Sequence, residues 1–243
     1  MTLYPKAGVN KPHGPAMTPA GRQNPSAAAA FSPADIANLE AWYDASRITG
    51  LSDSDPVTTW ADASSNGRDL AQVAAPTYRT SAGPAGKPSV YFDTDYMKTG
   101  SAGLIAQPFS VLLLIQAPLG TDAKYAADSR DTSNRFYFYQ SATEQIFANA
   151  GVILATANDV ITGSAQVWTF TLNGVSSSIR VNGSEVKAGS AGTSSWDLLT
   201  LGALNNGGGA LITTYISELA VYTSLSTGDR DLVEAYLVSK YGI

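Results

Sequence analysis

The sequence predicts an all-β protein whose antiparallel strands form a sandwich, and three observations lead to this fold class. Short segments rich in β-branched and aromatic residues recur at near-even spacing along most of the 243 residues. Clusters of Gly, Asn, Asp and Ser, which favour tight turns, separate these segments. No long helical pattern lies between them, although parallel strands would need crossover connections of that kind. We therefore expect antiparallel strands packed as two sheets.

Segments with the composition or alternation of strands run through the chain. They are 57–60, 89–92, 109–115, 135–139, 145–148, 152–155, 166–172, 178–181, 198–202 and 213–222. The clearest pattern is the hairpin within 167–186. Its large apolar residues at 168, 170 and 172 alternate onto one face, and the Asn-Gly pairs at 173 and 182 are typical turn sequences.

Two helices are expected at the ends of this β region. Ser32 is a good N-cap and Pro33 suits the first helical turn, so the pattern predicts a short helix over 33–39. Apolar residues at 232, 233, 236 and 237 have helical spacing after a Ser226 cap. Gly242 favours the end of that second helix.

Residues 1–31 form a separate region without helical or alternating apolar periodicity. They contain five of the 12 prolines, and residues 1–30 carry three basic and no acidic residues, whereas the whole chain has a net charge of −5. An arm without a core becomes ordered against a partner surface, so we interpret 1–31 as an extended anchoring arm, with a disordered tail as the alternative. Residues 32–243 would form the sandwich domain. The predicted anchoring residues are Leu3, Tyr4, Lys6, Val9, Lys11, Met17 and Arg22.

The composition excludes several kinds of chemistry. The chain has no cysteine and one histidine, His13, which excludes disulfide scaffolds and thiolate zinc sites and argues against a Ser-His-Asp triad. The longest strongly apolar run, 109–115, is too short to span a membrane, and no secretory signal pattern is present. The acidic balance of the residues after the arm argues against nucleic-acid binding. We therefore expect neither a membrane nor a nucleic-acid partner.

The acidic residues do not form a catalytic pattern. Glycoside hydrolysis needs two carboxylates on either side of one bond. None of the five Glu residues has a second acid two or four positions away in a strand-like segment, and Glu218 stands alone in 213–222. We therefore expect no catalytic residue and no enzyme activity.

The segment DASSNG, residues 62–67, resembles the start of a calcium-binding loop. Oxygen donors at Asp62, Ser64 and Asn66 and a glycine at 67 suit such a loop, but its twelfth position is Val73 rather than an acid. Asp and Asn in such segments more often cap their own backbone in an Asx-type turn. We therefore expect a turn here, with no metal or cofactor.

Several phrases of the sequence, taken in order, resemble those of a known family. LEAWYDAS begins at residue 39, TWADASSNGR at 59 and PSVYFD at 88, and the 168–186 hairpin and ISELAVY at 216 follow. Together with a terminal helix ending in KYG, they resemble a concanavalin A-like (laminin-G-like) jelly-roll domain over about residues 33–243. The resemblance implies a jelly-roll sandwich of antiparallel sheets.

Domains of this type are found in bacteriophage structural proteins, and the resemblance, together with the basic arm, implies a non-enzymatic virion protein. The expected role is a capsid decoration or head-fibre protein at the virion surface, in many copies or as a homo-oligomer. Its arm would contact major capsid or tail proteins. The alternative is a carbohydrate-binding module of a tail fibre or cell-surface adhesin. There, Trp196 would be an exposed platform for a host-surface glycan, with Asn205 and Asn206 beside it.

Overall fold

The computed structural model describes residues 31–100, 104–119, 124–129, 136–197, 199–204 and 211–243. These ranges contain sixteen β-strands, one α-helix and four short 3₁₀ turns, and the strands pair antiparallel throughout. The predicted all-β antiparallel fold is therefore confirmed. The predicted anchoring residues, all between positions 3 and 22, lie outside the described residues, so the anchoring arm stays a prediction.

The strands and the helix are numbered in chain order. The strands are β1 (Leu39–Asp44), β2 (Thr59–Trp60), β3 (Leu70–Ala74), β4 (Thr77–Arg79), β5 (Ser89–Asp93), β6 (Tyr96–Thr99), β7 (Phe109–Gln116), β8 (Lys124–Ser129), β9 (Tyr137–Gln140), β10 (Ile146–Asn149), β11 (Ile153–Ala155), β12 (Gln166–Leu172), β13 (Ser177–Val181), β14 (Ser184–Gly189), β15 (Leu199–Leu201) and β16 (Thr213–Tyr222). The helix α1 spans Thr227–Tyr241.

The strands form two sheets of eight strands each. The first sheet has the order β14-β13-β12-β7-β16-β5-β4, and β1 also pairs with β16. The second sheet has the order β11-β10-β9-β8-β15-β6-β3-β2. Consecutive strands such as β7 and β8 lie in different sheets, so the chain crosses between the sheets as it does in jelly rolls.

The main core lies between the two sheets. In β12, Trp168, Phe170 and Leu172 are fully buried there, as their alternation predicts. Phe138 of the second sheet lies against them, and its ring stacks on that of Phe170 with 3.7 Å between the ring centroids. Burying an aromatic or aliphatic side chain contributes about 1.5–3 kcal/mol relative to exposure, so these residues determine which face of each sheet points inward.

Helix α1 covers part of the outer face of the first sheet. The Ser226 side chain accepts a hydrogen bond at the helix start, and Gly242 ends the helix with a φ of 63°, a left-handed conformation that favours glycine. The predicted cap and end of this helix are thus confirmed. Helix and sheet share a second cluster of buried residues, formed by Trp42, Leu112, Leu114, Val167, Ala220, Tyr222, Val233, Leu237 and Tyr241.

The predicted helix over 33–39 is wrong beyond its first turn. Only Pro33–Asp35 is helical, as a 3₁₀ turn capped by Ser32, and the chain enters β1 at Leu39. β1 pairs with β16 and buries Trp42 and Tyr43 there. This long-range pairing outweighs the local helix signal, since strand formation depends on the partners that the fold supplies.

The sequence-based prediction lacks five strands, namely β1, β3, β4, β6 and β8. Their sequences, such as LAQVA in β3 and KYAADS in β8, contain few β-branched residues. They become strands because neighbouring strands complete their backbone hydrogen bonds.

Candidate functional site

The outer face of the second sheet carries a group of aromatic side chains. In β9, Phe138 points into the core, so the alternation of the strand places Tyr137 and Tyr139 on the outer face. Tyr139 lies directly opposite Tyr125 of β8 and Phe147 of β10. We call Tyr125, Tyr139 and Phe147 the aromatic row, and all three are half-buried.

The rings of the aromatic row stack on one another. The ring centroids of Tyr125 and Tyr139 are 5.3 Å apart at an interplanar angle of 26°, and those of Tyr139 and Phe147 are 4.3 Å apart at 16°. Tyr137 lies beside the row, 5.3 Å from Tyr125. Because stacked rings cover each other's faces, the row turns ring edges outward. The second face of Phe147, the last ring, lies toward β11, where its cross-strand partner is the small Ala155.

The Tyr139 hydroxyl is neutral at physiological pH. Burial, and then the nearby Tyr137 and Tyr125, raise the pKa of Tyr139 above its ordinary value. A neutral phenol both donates and accepts hydrogen bonds. The aromatic row therefore combines apolar surface with the Tyr139 hydroxyl, which can bind a polar, uncharged ligand.

Polar residues form a second row next to the aromatic row on the same face. Four of its residues are successive cross-strand partners: Lys98 of β6, Thr200 of β15, Asp128 of β8 and Tyr137 of β9. Asn149 of β10 follows Tyr137. Asp128 and Thr200 are fully buried although they belong to the outer face. The Asn149 side-chain oxygen accepts a backbone hydrogen bond at 2.9 Å, which orients its amide group. Asn149, two residues from Phe147 on β10, is half-buried and is the polar group of this row that a ligand on the aromatic row could contact.

The prediction that Trp196 is an exposed platform is wrong. Its side chain is fully buried and packs against Phe109 and Phe136, with ring centroids 5.6 and 4.9 Å away. A backbone bridge with Ile105 holds this part of the chain against the sandwich. A polar sequence context does not outweigh the gain from burying a large aromatic ring.

The aromatic row is absent from the sequence-based prediction, which names Asn205 and Asn206 instead. Those two residues lie outside the described residues, so their role stays a prediction. One signal does point to the row: in RFYFY, residues 135–139, tyrosines alternate with phenylalanines, which indicates a polar outer face and an apolar inner one. The contributions of Tyr125 and Phe147 depend on strand register, which sequence patterns do not define.

The 62–67 segment forms the predicted Asx-type turn. Asp62 Oδ1 accepts hydrogen bonds from the backbone amides of Trp42 and Ser64, at 2.8 and 2.9 Å. Its Oδ2 accepts from the Ser64 hydroxyl and the Arg68 amide, at 2.6 and 2.9 Å. Asn66 donates to two backbone carbonyl groups of β1 at 3.0 Å. The side chains of this turn therefore attach it to β1.

A buried pair of acids lies on the outer side of the first sheet, against α1. Asp44 and Glu218 are direct cross-strand partners on β1 and β16, so strand pairing joins two carboxylates that the sequence pattern does not connect. The Lys240 ammonium group bridges them, at 2.8 Å from Asp44 Oδ2 and 2.7 Å from Glu218 Oε2. Glu218 also accepts hydrogen bonds from Trp42 Nε1 at 2.7 Å and the Tyr241 hydroxyl at 3.0 Å. These contacts join the helix to the sheet.

The surroundings of this cluster shift the pKa values of its members. Burial, and then Asp44, raise the pKa of Glu218, while contact with Lys240 acts in the opposite direction. Burial lowers the pKa of Lys240, but the Glu218 and Asp44 carboxylates outweigh burial, and the net shift is upward. Burial and the nearby Glu218 raise the pKa of Tyr236 to about 12. Lys240 therefore stays charged, and among the described residues it is the cation that forms salt bridges with both carboxylates.

A cleft of about 490 Å³ lies beside the cluster. Arg47 and three threonines line it, and the Arg47 guanidinium carbon is 4.9 Å from the centroid of the Trp42 ring. Two acids also line the cleft, but Asp44 binds Lys240 and Asp62 holds the Asx-type turn. The cleft therefore contains no carboxylate pair without a donor among the described residues.

Within the described ranges, no helix is long and apolar enough to cross a membrane. Those ranges also contain no group of three His, Cys, Asp or Glu side chains that could hold a metal ion. The aromatic and polar rows thus remain the main candidate site that the fold assembles.

Comparison with known proteins gives matches in structure and none in sequence. No protein-family model matches the chain, and no curated protein sequence matches it. The fourth domain of AbnA, a GH43 extracellular arabinanase from Geobacillus stearothermophilus solved in complex with arabinotriose, has a TM-score of 0.58 at 15% identity. That match covers 82% of this chain and 98% of the arabinanase domain.

Two toxins have the same architecture. Botulinum neurotoxin type C, whose cell entry depends on interaction with two ganglioside molecules, has a TM-score of 0.57 at 10% identity, over 82% of this chain and 51% of that one. The binding domain of Paraclostridial Mosquitocidal Protein 1 has a TM-score of 0.60 at 10% identity, over 84% and 53%. The fold is a concanavalin A-like jelly roll. This chain spans about half the length of the toxin chains, and at these identities the likeness concerns the fold alone.

Proposed function

We propose that this chain is a carbohydrate-binding module without catalytic activity, and that it binds a glycan on the outer face of the second sheet. The observation that carries the proposal is the aromatic row, whose three rings lie half-buried on adjacent strands. Neighbouring strands lie about 4.8 Å apart, so the row spans roughly 10 Å. That length suits a short oligosaccharide.

The chemistry of this face matches the two kinds of surface on a sugar. Sugar rings have apolar C–H faces and a rim of hydroxyl groups. The Phe147 ring opposite Ala155 offers an apolar face to the first, and the Tyr139 hydroxyl offers hydrogen bonds to the second. Such a combination of aromatic surface with a few polar groups is usual in small-ligand sites.

Solved structures of this fold support the proposal by analogy. The arabinanase domain is known with a bound trisaccharide, and the neurotoxin interacts with gangliosides. Because one fold can carry many functions, this analogy only adds to the argument from the aromatic row.

We propose no catalytic activity because the buried acids Asp44 and Glu218 are already bound to the Lys240 ammonium group. Lys240, Trp42 and Tyr241 already donate hydrogen bonds to Glu218, which is 1% exposed. A glycosidase needs one carboxyl group that can protonate the leaving oxygen and a second that is free to react. A carboxylate that is buried and bound to an ammonium group fulfils neither role.

A glycan array followed by isothermal titration calorimetry tests the proposal. The wild-type chain is expected to bind at least one glycan, and Phe147→Ala and Tyr139→Ala each weaken its affinity at least about tenfold, or about 1.4 kcal/mol, because truncating a central aromatic contact removes most of its energy. Val73→Ala changes an exposed apolar residue on β3 of the same sheet and should bind as the wild type does. Thermal melts establish that each variant is folded.

Two results would contradict this proposal. An array without any bound glycan, or wild-type affinity in both folded aromatic variants, excludes the aromatic row as the glycan site. Release of shorter sugars during prolonged incubation with a bound glycan would show that the chain is an enzyme.

The location of the module stays a prediction from the sequence. Display on a virion, with residues 1–31 bound to capsid or tail proteins, is compatible with an outward-facing glycan site. The predicted anchors lie outside the described residues, so particle assembly must test this location.

A further inference from the structure

A second group of aromatic and polar side chains lies on the outer face of the first sheet. Four of its residues are successive cross-strand partners: Thr77 of β4, Tyr91 of β5, Tyr215 of β16 and Gln116 of β7. Their neighbours along the strands belong to the main core, so alternation places these four residues on the outer face. None of the four belongs to the cluster of residues that α1 covers.

Two tyrosines form the apolar part of this group. The ring centroids of Tyr91 and Tyr215 are 4.7 Å apart and their planes are inclined by 33°, so the rings form a wedge rather than a closed stack. They border a hollow of about 240 Å³. The other residues that line the hollow are Gln116, Pro118, Gly163, Thr213 and Thr214.

The polar groups around the hollow are held by the strands. The Thr214 hydroxyl donates to the Gln116 carbonyl at 2.9 Å, and the Thr213 hydroxyl donates to Asp93 at 3.3 Å. Gly163 has a φ of 75°, and a Cβ there would lie 3.3 Å from Leu119 Cγ, so the rim suits glycine at this point. The Gln116 amide and the tyrosine hydroxyls provide both donors and acceptors.

We infer that this hollow is a second binding site, which takes one uncharged sugar ring. None of the described residues that line it is charged, and the nearby Asp93 already accepts a hydrogen bond from Thr213, so the hollow favours an uncharged ligand. Its volume is below the roughly 300–1,000 Å³ of sites for drug-sized ligands, which favours a single ring. The paired aromatic rings suit the C–H face of that ring, while the amide and hydroxyls suit its rim.

This inference goes beyond the proposed function because the two sites lie on different sheets and face opposite directions. A chain with glycan sites on both outer faces of the sandwich can join two glycan chains, or two branches of one chain. Binding at both sites would raise the overall affinity for a multivalent surface without any new contact.

Titration of the full chain with arabinotriose, maltotriose and cellotriose, followed by amide NMR spectra, tests the inference. At least one of these neutral sugars is expected to shift signals at 91, 116 and 213–215. In the Phe147→Ala background these shifts persist, because the first site is on the other sheet. Adding Tyr215→Ala should weaken this remaining binding at least about tenfold, whereas Tyr215→Phe keeps the ring and most of the affinity.

Gln116→Leu provides a second variant that preserves the side-chain volume and removes the amide, and it should also weaken binding at the hollow. The inference is overturned if none of the three sugars shifts these signals at millimolar concentration. It is also overturned if folded Tyr215→Ala and Gln116→Leu variants keep the shifts. Failure of the proposed function gives a different result, namely unchanged glycan affinity in Phe147→Ala and Tyr139→Ala.

Discussion

Individual aromatic residues have one of two roles in this protein, and their immediate sequence context does not separate the roles. Trp196 stands in the polar segment SSWD but is buried against Phe109 and Phe136. Tyr139 alternates with core phenylalanines in RFYFY but lies on the outer face. The role of each ring follows from the side of the strand on which it lies.

The burial of Trp196 leads to a prediction about stability. Trp196→Ala should reduce the free energy of unfolding by about 3–5 kcal/mol, because it leaves a cavity in the aromatic core. Val175→Ala, at a position that is 81% exposed, should change it by less than about 0.5 kcal/mol. Urea unfolding measures both values. A Trp196→Ala variant as stable as the wild type would show that the indole is not part of the core. Because the substitution is expected to destabilise the core, it is unsuitable as a test of glycan binding.

At the level of elements, charged pairs join α1 to the first sheet in addition to apolar packing. Lys240 binds Asp44 of β1 and Glu218 of β16. Arg180 of β13 binds Glu234 of the helix through two nitrogens, at 2.9 and 3.0 Å. These contacts place the helix at a defined position, because a buried carboxylate without its cation is strongly unfavourable.

This arrangement predicts a pH-dependent effect of Lys240→Met. At pH 7 the variant should lose about 3–5 kcal/mol of unfolding free energy, because the two buried acids face each other without the ammonium group that bridges them. Burial, and then Asp44, raise the pKa of Glu218, so this group takes up a proton more readily in the folded state than in the unfolded state. The stability that this proton provides is present at low pH and is lost as pH rises through the folded pKa. The deficit of the variant should therefore shrink as the pH is lowered toward 4.

Chemical denaturation of both proteins at several pH values measures this difference. Lys187→Met on β14 removes an exposed lysine and serves as the matched control, with little effect at any pH. A deficit for Lys240→Met that is the same at pH 4 and pH 7 would show that the lost packing of the lysine stem, rather than the unpaired carboxylates, is responsible.

On the scale of the whole molecule, both buried clusters of the described residues consist of side chains from residues 31–243. Removing residues 1–30 should therefore leave the melting temperature of the sandwich within a few degrees of that of the full chain, since no described core residue is lost. If residues 1–31 are the predicted anchor, the shortened chain should also fail to join assembled particles. Calorimetry and a particle incorporation assay measure the two outcomes. Normal incorporation of the shortened chain would contradict the anchoring role.

The two outer faces of the sandwich differ in how they are covered. Helix α1 covers part of the first sheet and leaves the Tyr91–Tyr215 hollow beyond the buried cluster. The second sheet carries the aromatic row across β8, β9 and β10. Both proposed sites therefore belong to rigid strands, which hold aromatic and polar groups in place before a ligand binds.

Local patterns were enough to derive the all-β class, the 166–172 strand with its Asn-Gly turns, the Asx-type turn and the terminal helix with its cap. These features depend on residues close together in the chain, where period, capping and turn preferences act directly. The burial of Trp196, the meeting of Asp44 with Glu218 and the alignment of Tyr125, Tyr139 and Phe147 required the folded chain. Each of these depends on which strands become neighbours and in which register, and a shift of one residue would move every side chain of a strand to the other face.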